Sequence, residues 1–288
     1  MATAAQRKSK QSTISDRYPG HEEAYRLLYL GRLLDEEAVQ YLKRNMGWSY
    51  HAPCAGHDAI QLALGCTFRH SLDHLFPYYR DMMTCLAGGL SAREIILNGL
   101  SRAEDVAGAG RHMSNHFAKP SIHIHNVSSC VSNHAQHAAG LARAIKMYAN
   151  PSKGLDADLT ERARSGIPVV YCSFGESCCS EGYVFEALNG ASLLKLPMIT
   201  VIQDNGYGIG VPKREQTANV DIAENFRGIK DLHIEYCEGA DVFDCFRAMD
   251  VAREYVEKGK GPAIVYARCV RIHSHSNSDA HEQYRSEE

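Results

Sequence analysis

Two polar residues stand where chemistry would be expected in this chain, each at the end of an expected strand. Glu176 follows the run Ile167 to Phe174 and its closing Gly175, and Asn205 comes after the run Met198 to Ile202. If the two runs are neighbouring strands, roughly 4.8 Å apart, a carboxylate and an amide oxygen at matching ends can share one ion. Both are hard oxygen donors, suited to Mg²⁺ or Ca²⁺ at about 2.0 to 2.5 Å, with diphosphate oxygens and water filling the remaining positions. Gly175 and Gly206 let the backbone approach an anion closely. The same spacing is equally compatible with a plain crossover that carries two polar loops and no ligand. Three further stretches hold reactive types: Tyr79-Arg80, where an aromatic precedes a planar guanidinium suited to phosphate; His112 and His116 in a glycine-rich segment; and the run from Arg271 to Asp279 with its histidines and serines. His112 and His116, four apart, would suit zinc on a helix, but the segment Gly108 to Phe117 reads as a loop, so no zinc site is expected.

The elements that must hold these residues follow from periodicity. Ile167 to Phe174 is a β-branched run expected to be buried on both faces. Glu181 to Lys195 reads as a crossover helix, with Val184, Leu188, Ala191 and Leu194 at helical spacing and Pro197 as its stop. Met198 to Ile202 is the next strand, parallel to the first through a right-handed crossover, so both carboxyl ends open on one crevice. His21 to Met46 and Leu141 to Tyr148 read as helices, and 213–230 as polar loop. Leu232 to Tyr236, Val242 to Val256 and Pro262 to Cys269 continue the alternation as strand, helix and strand. The class is α/β, a mostly parallel sheet with helices on both faces. Residues 1–16 are expected to be a disordered tail, 17–288 one domain, and 150–166 a surface connection.

Taken together, Gly175-Glu176-Ser177, the EALN of the helix, Leu196-Pro197 and Asn205-Gly206-Tyr207 resemble the thiamine diphosphate motif of 2-oxo acid dehydrogenases, specifically the α chain, or α half, of the decarboxylating first component. Glutamate at 176 is similar to the branched-chain (2-oxoisovalerate) subgroup; Ser177 departs from the pattern, which has a third glycine there. Cys54 to Gly65 resembles a G-[QH]-E-A helix of the family, with His57 and Asp58 in the Gln-Glu places and a structural role. The resemblance implies a fold that binds thiamine diphosphate and Mg²⁺. Glu176, Asn205 and Tyr207 would then lie on the metal, and Tyr79, Arg80, Ser129, Val131, Gly175, Glu176, Ser177, Arg271 and His275 on the cofactor. His275, in a loop similar to the family's R-x-H-G-H-S-x-S-D, would act near the reacting carbon as proton donor or orienting group. The reaction implied is decarboxylation of a 2-oxo acid with acyl transfer to a lipoyl group. The partners implied are a β chain that completes the site and a lipoyl-bearing acyltransferase, with homo-oligomers expected. Pyruvate and acetoin relatives are the neighbouring enzyme readings; a non-catalytic remnant that binds a partner or a diphosphate is the reading from another class.

Composition bounds the rest. The 288 residues, 44% hydrophobic, can bury a full core. A net charge of −3 without a basic run argues against nucleic acid. Ten cysteines with no secretory leader argue for free thiols and a cytoplasmic location. No apolar run approaches the roughly 20 residues needed to span a bilayer. The chain stops soon after the histidine loop, where α chains continue, which fits either a truncated piece or a short form that depends on its partner.

Overall fold

A computed structural model describes residues 18–70, 72–149 and 167–286; the expected tail at 1–16 and connection at 150–166 lie outside the described residues. In chain order come helix α1 (His21–Lys43), α2 (Asp58–Thr67), strand β1 (His74–Phe76), α3 (Met82–Ala87), α4 (Ala92–Gly99), α5 (His134–Tyr148), β2 (Val170–Gly175), α6 (Gly182–Leu193), β3 (Met198–Asp204), a two-residue hairpin β4 (Tyr207–Gly208) and β5 (Val211–Pro212), α7 (Lys213–Gln216), β6 (His233–Glu238), α8 (Val242–Glu257) and β7 (Ala263–Arg268). The main sheet runs β1-β2-β3-β7-β6 with every pairing parallel. This is the expected α/β class.

Alternation along the central strands divides their side chains between two cores. Tyr171, Ile199, Val201, Ala263, Val265 and Ala267 face one side, where α1, α2, α3, α4 and α8 pack. Val170, Cys172, Phe174, Met198, Ile202, Ile264 and Tyr266 face the other, under α5 and α6. With both faces covered, strand residues have no reason to alternate with polar ones, which is why the sequence shows near-continuous apolar runs. Each large side chain so buried contributes about 1.5–3 kcal/mol.

Two boundaries differ from expectation for physical reasons. Helix α5 begins at His134 rather than Leu141. Gly140, which looks like a break in the sequence, lies where an added Cβ would meet nothing within 4 Å, and a solvent-facing glycine inside a helix costs only about 1 kcal/mol. Ala135, Ala138 and Ala142 supply the buried stripe. The stretch 213–230 is not all loop: α7 and a 3₁₀ turn at Ile222–Phe226 interrupt it, and Ile222, Ala223 and Phe226 are buried in the second core.

Beneath the sheet edge, Arg253 of α8 grips Asp73 with Nη1 and Nη2 at 2.8 and 3.2 Å, donates to the Thr67 carbonyl at 3.0 Å and reaches the Tyr171 hydroxyl. Asp73 also accepts from the Val169 amide at 3.0 Å, tying the edge to the start of β2. Asp73 keeps Arg69 as a second cation, with Nε and Nη2 each at 3.2 Å, so Arg253→Ala should cost the buried hydrogen bonds rather than a stranded charge, about 1–3 kcal/mol in urea unfolding. Arg227→Ala, at an exposed i,i+3 pair, should leave the midpoint nearly unmoved. Equal midpoints for both variants would contradict this account of the edge.

Candidate active site

The strand order places the carboxyl ends of β1, β2, β3 and β7 along one rim. Gly175 pairs with Gln203, so Glu176 and Asn205 emerge side by side. After Gly175 the chain tightens into a 3₁₀ turn, Glu176–Ser180, before α6. Glu176 is 1% exposed; its Oε1 accepts from Ser177 Oγ at 3.2 Å and its Oε2 from the Asn205 backbone amide at 3.2 Å. Asn205 Oδ1 accepts from the Tyr207 amide at 3.2 Å, and its Nδ2 lies 3.2 Å from His57 Nε2. Between them Gly206 has φ +82°, in the left-handed region where a side chain is strained. Asp204 Oδ1 holds the Gly206 amide at 2.9 Å, while its Oδ2 takes Lys213 Nζ and the Tyr266 hydroxyl. Ser177, in place of the third glycine, fits because Gly208 has no side chain: a Cβ there would stand 2.4 Å from Ser177 Oγ.

These ends face a cavity of about 590 Å³, within the usual span for small-ligand sites. Tyr79, Arg80, Ser129, Val131, Gly175, Glu176, Ser177, Asn205, Tyr207 and His275 all line it. Arg271 stands just behind this wall, its guanidinium 5.7 Å from the Tyr207 ring centre. It is 2% exposed and donates from Nη2 to the Tyr284 hydroxyl at 2.7 Å, whereas Nε and Nη1 have no partner. Arg80 is engaged: Nη1 donates to the Pro53 carbonyl at 2.8 Å and Nη2 to the His275 carbonyl at 3.0 Å. Its fork therefore clasps the histidine loop to the cavity wall as well as presenting charge.

Burial and neighbouring charge set the protonation states. Glu176 is raised to about 7, first by burial and then by Asp204. His57 is lowered to about 3, chiefly by burial and then by Arg80. His275 is lowered to about 4 by burial, with Arg80 and Arg271 adding to it. It is therefore a neutral imidazole at pH 7, and since Arg80 can only donate to its Nδ1 at 3.3 Å, the ring proton sits on Nε2.

Sequence reading overlooked several lining residues. Tyr50, Cys178 and Gln216 carry no local signal; Gln216 reaches in by donating to the Ser177 carbonyl at 2.9 Å. His116 is a loop histidine, as expected, and it also lines the cavity. Its Nδ1 faces the Ser114 carbonyl at 3.1 Å, so Nε2 accepts from Ser129 Oγ at 2.7 Å. That bond fixes an otherwise exposed serine.

The donors present fit a divalent cation that carries an anion. A buried carboxylate held part-protonated for want of a counter-charge, an amide oxygen beside it and a buried guanidinium with two unused donors are complementary to such a pair. An added Cβ at Gly206 would meet nothing within 4 Å, which leaves the backbone there accessible.

The profile of the dehydrogenase E1 component family matches residues 25–288. The chain is 30% identical over 266 residues to the 2-oxoisovalerate dehydrogenase subunit alpha of Bacillus subtilis, covering 92% of this chain and 75% of that one. It is 26% identical over 240 residues to the mitochondrial 2-oxoisovalerate dehydrogenase subunit alpha 2 of Arabidopsis thaliana, covering 83% and 46%. It is 28% identical over 266 residues to the pyruvate dehydrogenase E1 component subunit alpha of Zymomonas mobilis, covering 92% and 70%. The chain thus spans between about half and three quarters of the length of these curated relatives. With the match running through the strand ends, the glycine turn and the histidine loop alike, this protein belongs to the dehydrogenase E1 component family.

Proposed function

We propose that the chain is the α-type part of a 2-oxo acid dehydrogenase that decarboxylates a branched-chain 2-oxo acid of the 2-oxoisovalerate type and passes the acyl group to a lipoyl arm. The family's general use of thiamine diphosphate supports the cofactor, and the oxygen donors support Mg²⁺ beside it. The observation that carries this reading is the meeting of Glu176 and Asn205 on one cavity, with the partnerless Arg271 donors buried behind its Tyr207 wall. When bound, the thiazolium of thiamine diphosphate supplies a nucleophilic carbon and an electron sink for loss of carbon dioxide. Glu176, the Asn205 amide oxygen and the Tyr207 carbonyl would hold the cation; Arg80 and Arg271 would neutralise the diphosphate. His275, neutral with hydrogen on Nε2, can donate a hydrogen bond to substrate oxygen without adding a third cation beside the two arginines. Tyr50 and Tyr79, ring centres 5.9 Å apart, wall the cavity and exclude water.

Met113, Val131, Ile209 and Val211 line the cavity yet stay 47–56% exposed. An apolar rim at the mouth of a site supports a covering partner, and a β chain that completes the site fits this position. Mixing the chain with a candidate β chain should yield a larger species by sedimentation and give decarboxylation of 2-oxoisovalerate, with neither chain active alone. Decarboxylation that prefers pyruvate would move the substrate to the neighbouring class. Cofactor binding without any turnover would instead leave a diphosphate-binding remnant.

A further inference from the structure

The histidine at the start of α2 enters the sequence only as part of a packing helix, yet the fold inserts it into the candidate cation site. We propose that His57 is a positioning residue that turns the Asn205 side chain so its oxygen faces the cation; this rests on the cation reading above and deepens it.

Asn205 has two ways to point its amide. Two contacts from different elements select one of them: Oδ1 accepts from the Tyr207 amide at 3.2 Å, and Nδ2 lies 3.2 Å from His57 Nε2. The tyrosine amide is a donor only, so it demands oxygen on its side. Nitrogen then falls toward His57, whose Nε2 must be the bare, accepting atom. With one lone pair given to Tyr207, Oδ1 keeps the other for an ion. Without the imidazole acceptor, a flipped amide would offer N–H groups to the cation.

His57 is fully buried, on a turn whose Cys54 and Ala55 are buried with it. Both carboxylate oxygens of Asp35, itself 3% exposed, accept from the Cys54 amide at 3.2 and 2.9 Å, and Oδ2 also accepts from the Ala55 amide at 3.0 Å. Asp58 Oδ2 accepts from the Gly56 amide at 2.8 Å. Gly56 has φ +87°, and a Cβ there would meet the Val270 carbonyl oxygen at 1.7 Å. The turn bearing His57 is thus braced by two aspartates and pressed against the residue before Arg271. With the turn before it braced and its ring enclosed, the imidazole can dictate an amide orientation rather than follow it. Partners of this kind, one bond removed from a metal ligand, are commonly worth 10–100-fold in metal affinity.

The test reads Mg²⁺ affinity by calorimetry at saturating thiamine diphosphate on the assembled enzyme. His57→Leu should weaken Mg²⁺ about 10–100-fold, and His57→Gln, whose amide oxygen can accept the same N–H, should restore it to within about threefold. In an Asn205→Asp background, where either oxygen serves, His57→Leu should cost nothing more, a coupling that a purely structural role would not produce. In the unmutated protein, nitrogen-15 shifts of the His57 imidazole should show hydrogen on Nδ1 and none on Nε2. This last reading needs no variant to fold. A wild-type protein that binds Mg²⁺ and cofactor while His57 carries hydrogen on Nε2, or while the leucine and glutamine variants bind alike, overturns the positioning role. A wild-type protein that binds neither removes the cation reading itself, and the role of His57 with it.

Discussion

Glu176→Ala is expected to weaken binding of Mg²⁺ and thiamine diphosphate about 100-fold or more, the equivalent of about 2.8 kcal/mol. The carboxylate is 1% exposed and tied to the neighbouring strand through the Asn205 amide. Asp204, the nearest other acid, is already occupied by Lys213 and Tyr266 and cannot substitute. Because burial and Asp204 raise Glu176 to about 7, metal uptake must expel a proton at neutral pH. Mg²⁺ affinity should therefore fall about tenfold from pH 8 to pH 6 as the carboxyl protonates, and this dependence should vanish in Glu176→Ala. For the cation-free chain the effect on stability has the opposite sense. A folded value above the ordinary 4.5 means that the protonated acid favours the fold, so its contribution is full below about 4.5 and lost as pH rises through about 7. Calorimetry that finds the alanine variant binding with unchanged affinity would remove Glu176 from the site.

How much of this could be read from the chain alone depended on whether the signal was local. The central strands were legible because burial on both faces leaves an uninterrupted apolar run, as from Met198 to Ile202. Glu176 and Asn205 were legible because a crossover puts consecutive strand ends together, so two short motifs imply one place. Helix α5 was misread at its start because Gly140 carries no mark of facing solvent; only packing reveals it. Tyr50 and Gln216 reach the cavity from a loop and a one-turn helix, and nothing within either segment foretells that approach. His57 is the most instructive case. Its place in a resembling helix identifies it, but its contact with Asn205, 148 positions away, is a product of tertiary folding.

Changing Arg271 should be nearly as costly to the cofactor as changing Glu176, though for a different reason. The guanidinium is held between the rings of Tyr207 and Tyr284, 5.7 and 5.9 Å from their centres. Nε and Nη1 are buried without partners. Burying donors unused costs about 1–3 kcal/mol each, more on a charged group, and a diphosphate oxygen would recover that cost on binding. Arg271→Ala should thus lower cofactor affinity about 100-fold, and Arg271→Lys should fall between, since an ammonium keeps the charge but not the planar fork. The loop that follows is already anchored by the Arg80 bond to the His275 carbonyl, by the reciprocal backbone and side-chain bonds between His51 and Asn277, and by Arg285 on the Arg271 carbonyl at 2.6 Å. Cofactor should therefore slow hydrogen exchange across 271–285 from an intermediate level, with the gain concentrated around Arg271. Since His275 meets the cavity at the end of this clasp, His275→Ala should reduce kcat more than cofactor affinity, whereas Arg271→Ala should do the reverse. Unchanged affinity in Arg271→Ala together with equal exchange in the two states would mean that the empty donors serve packing alone and that the anion lies elsewhere.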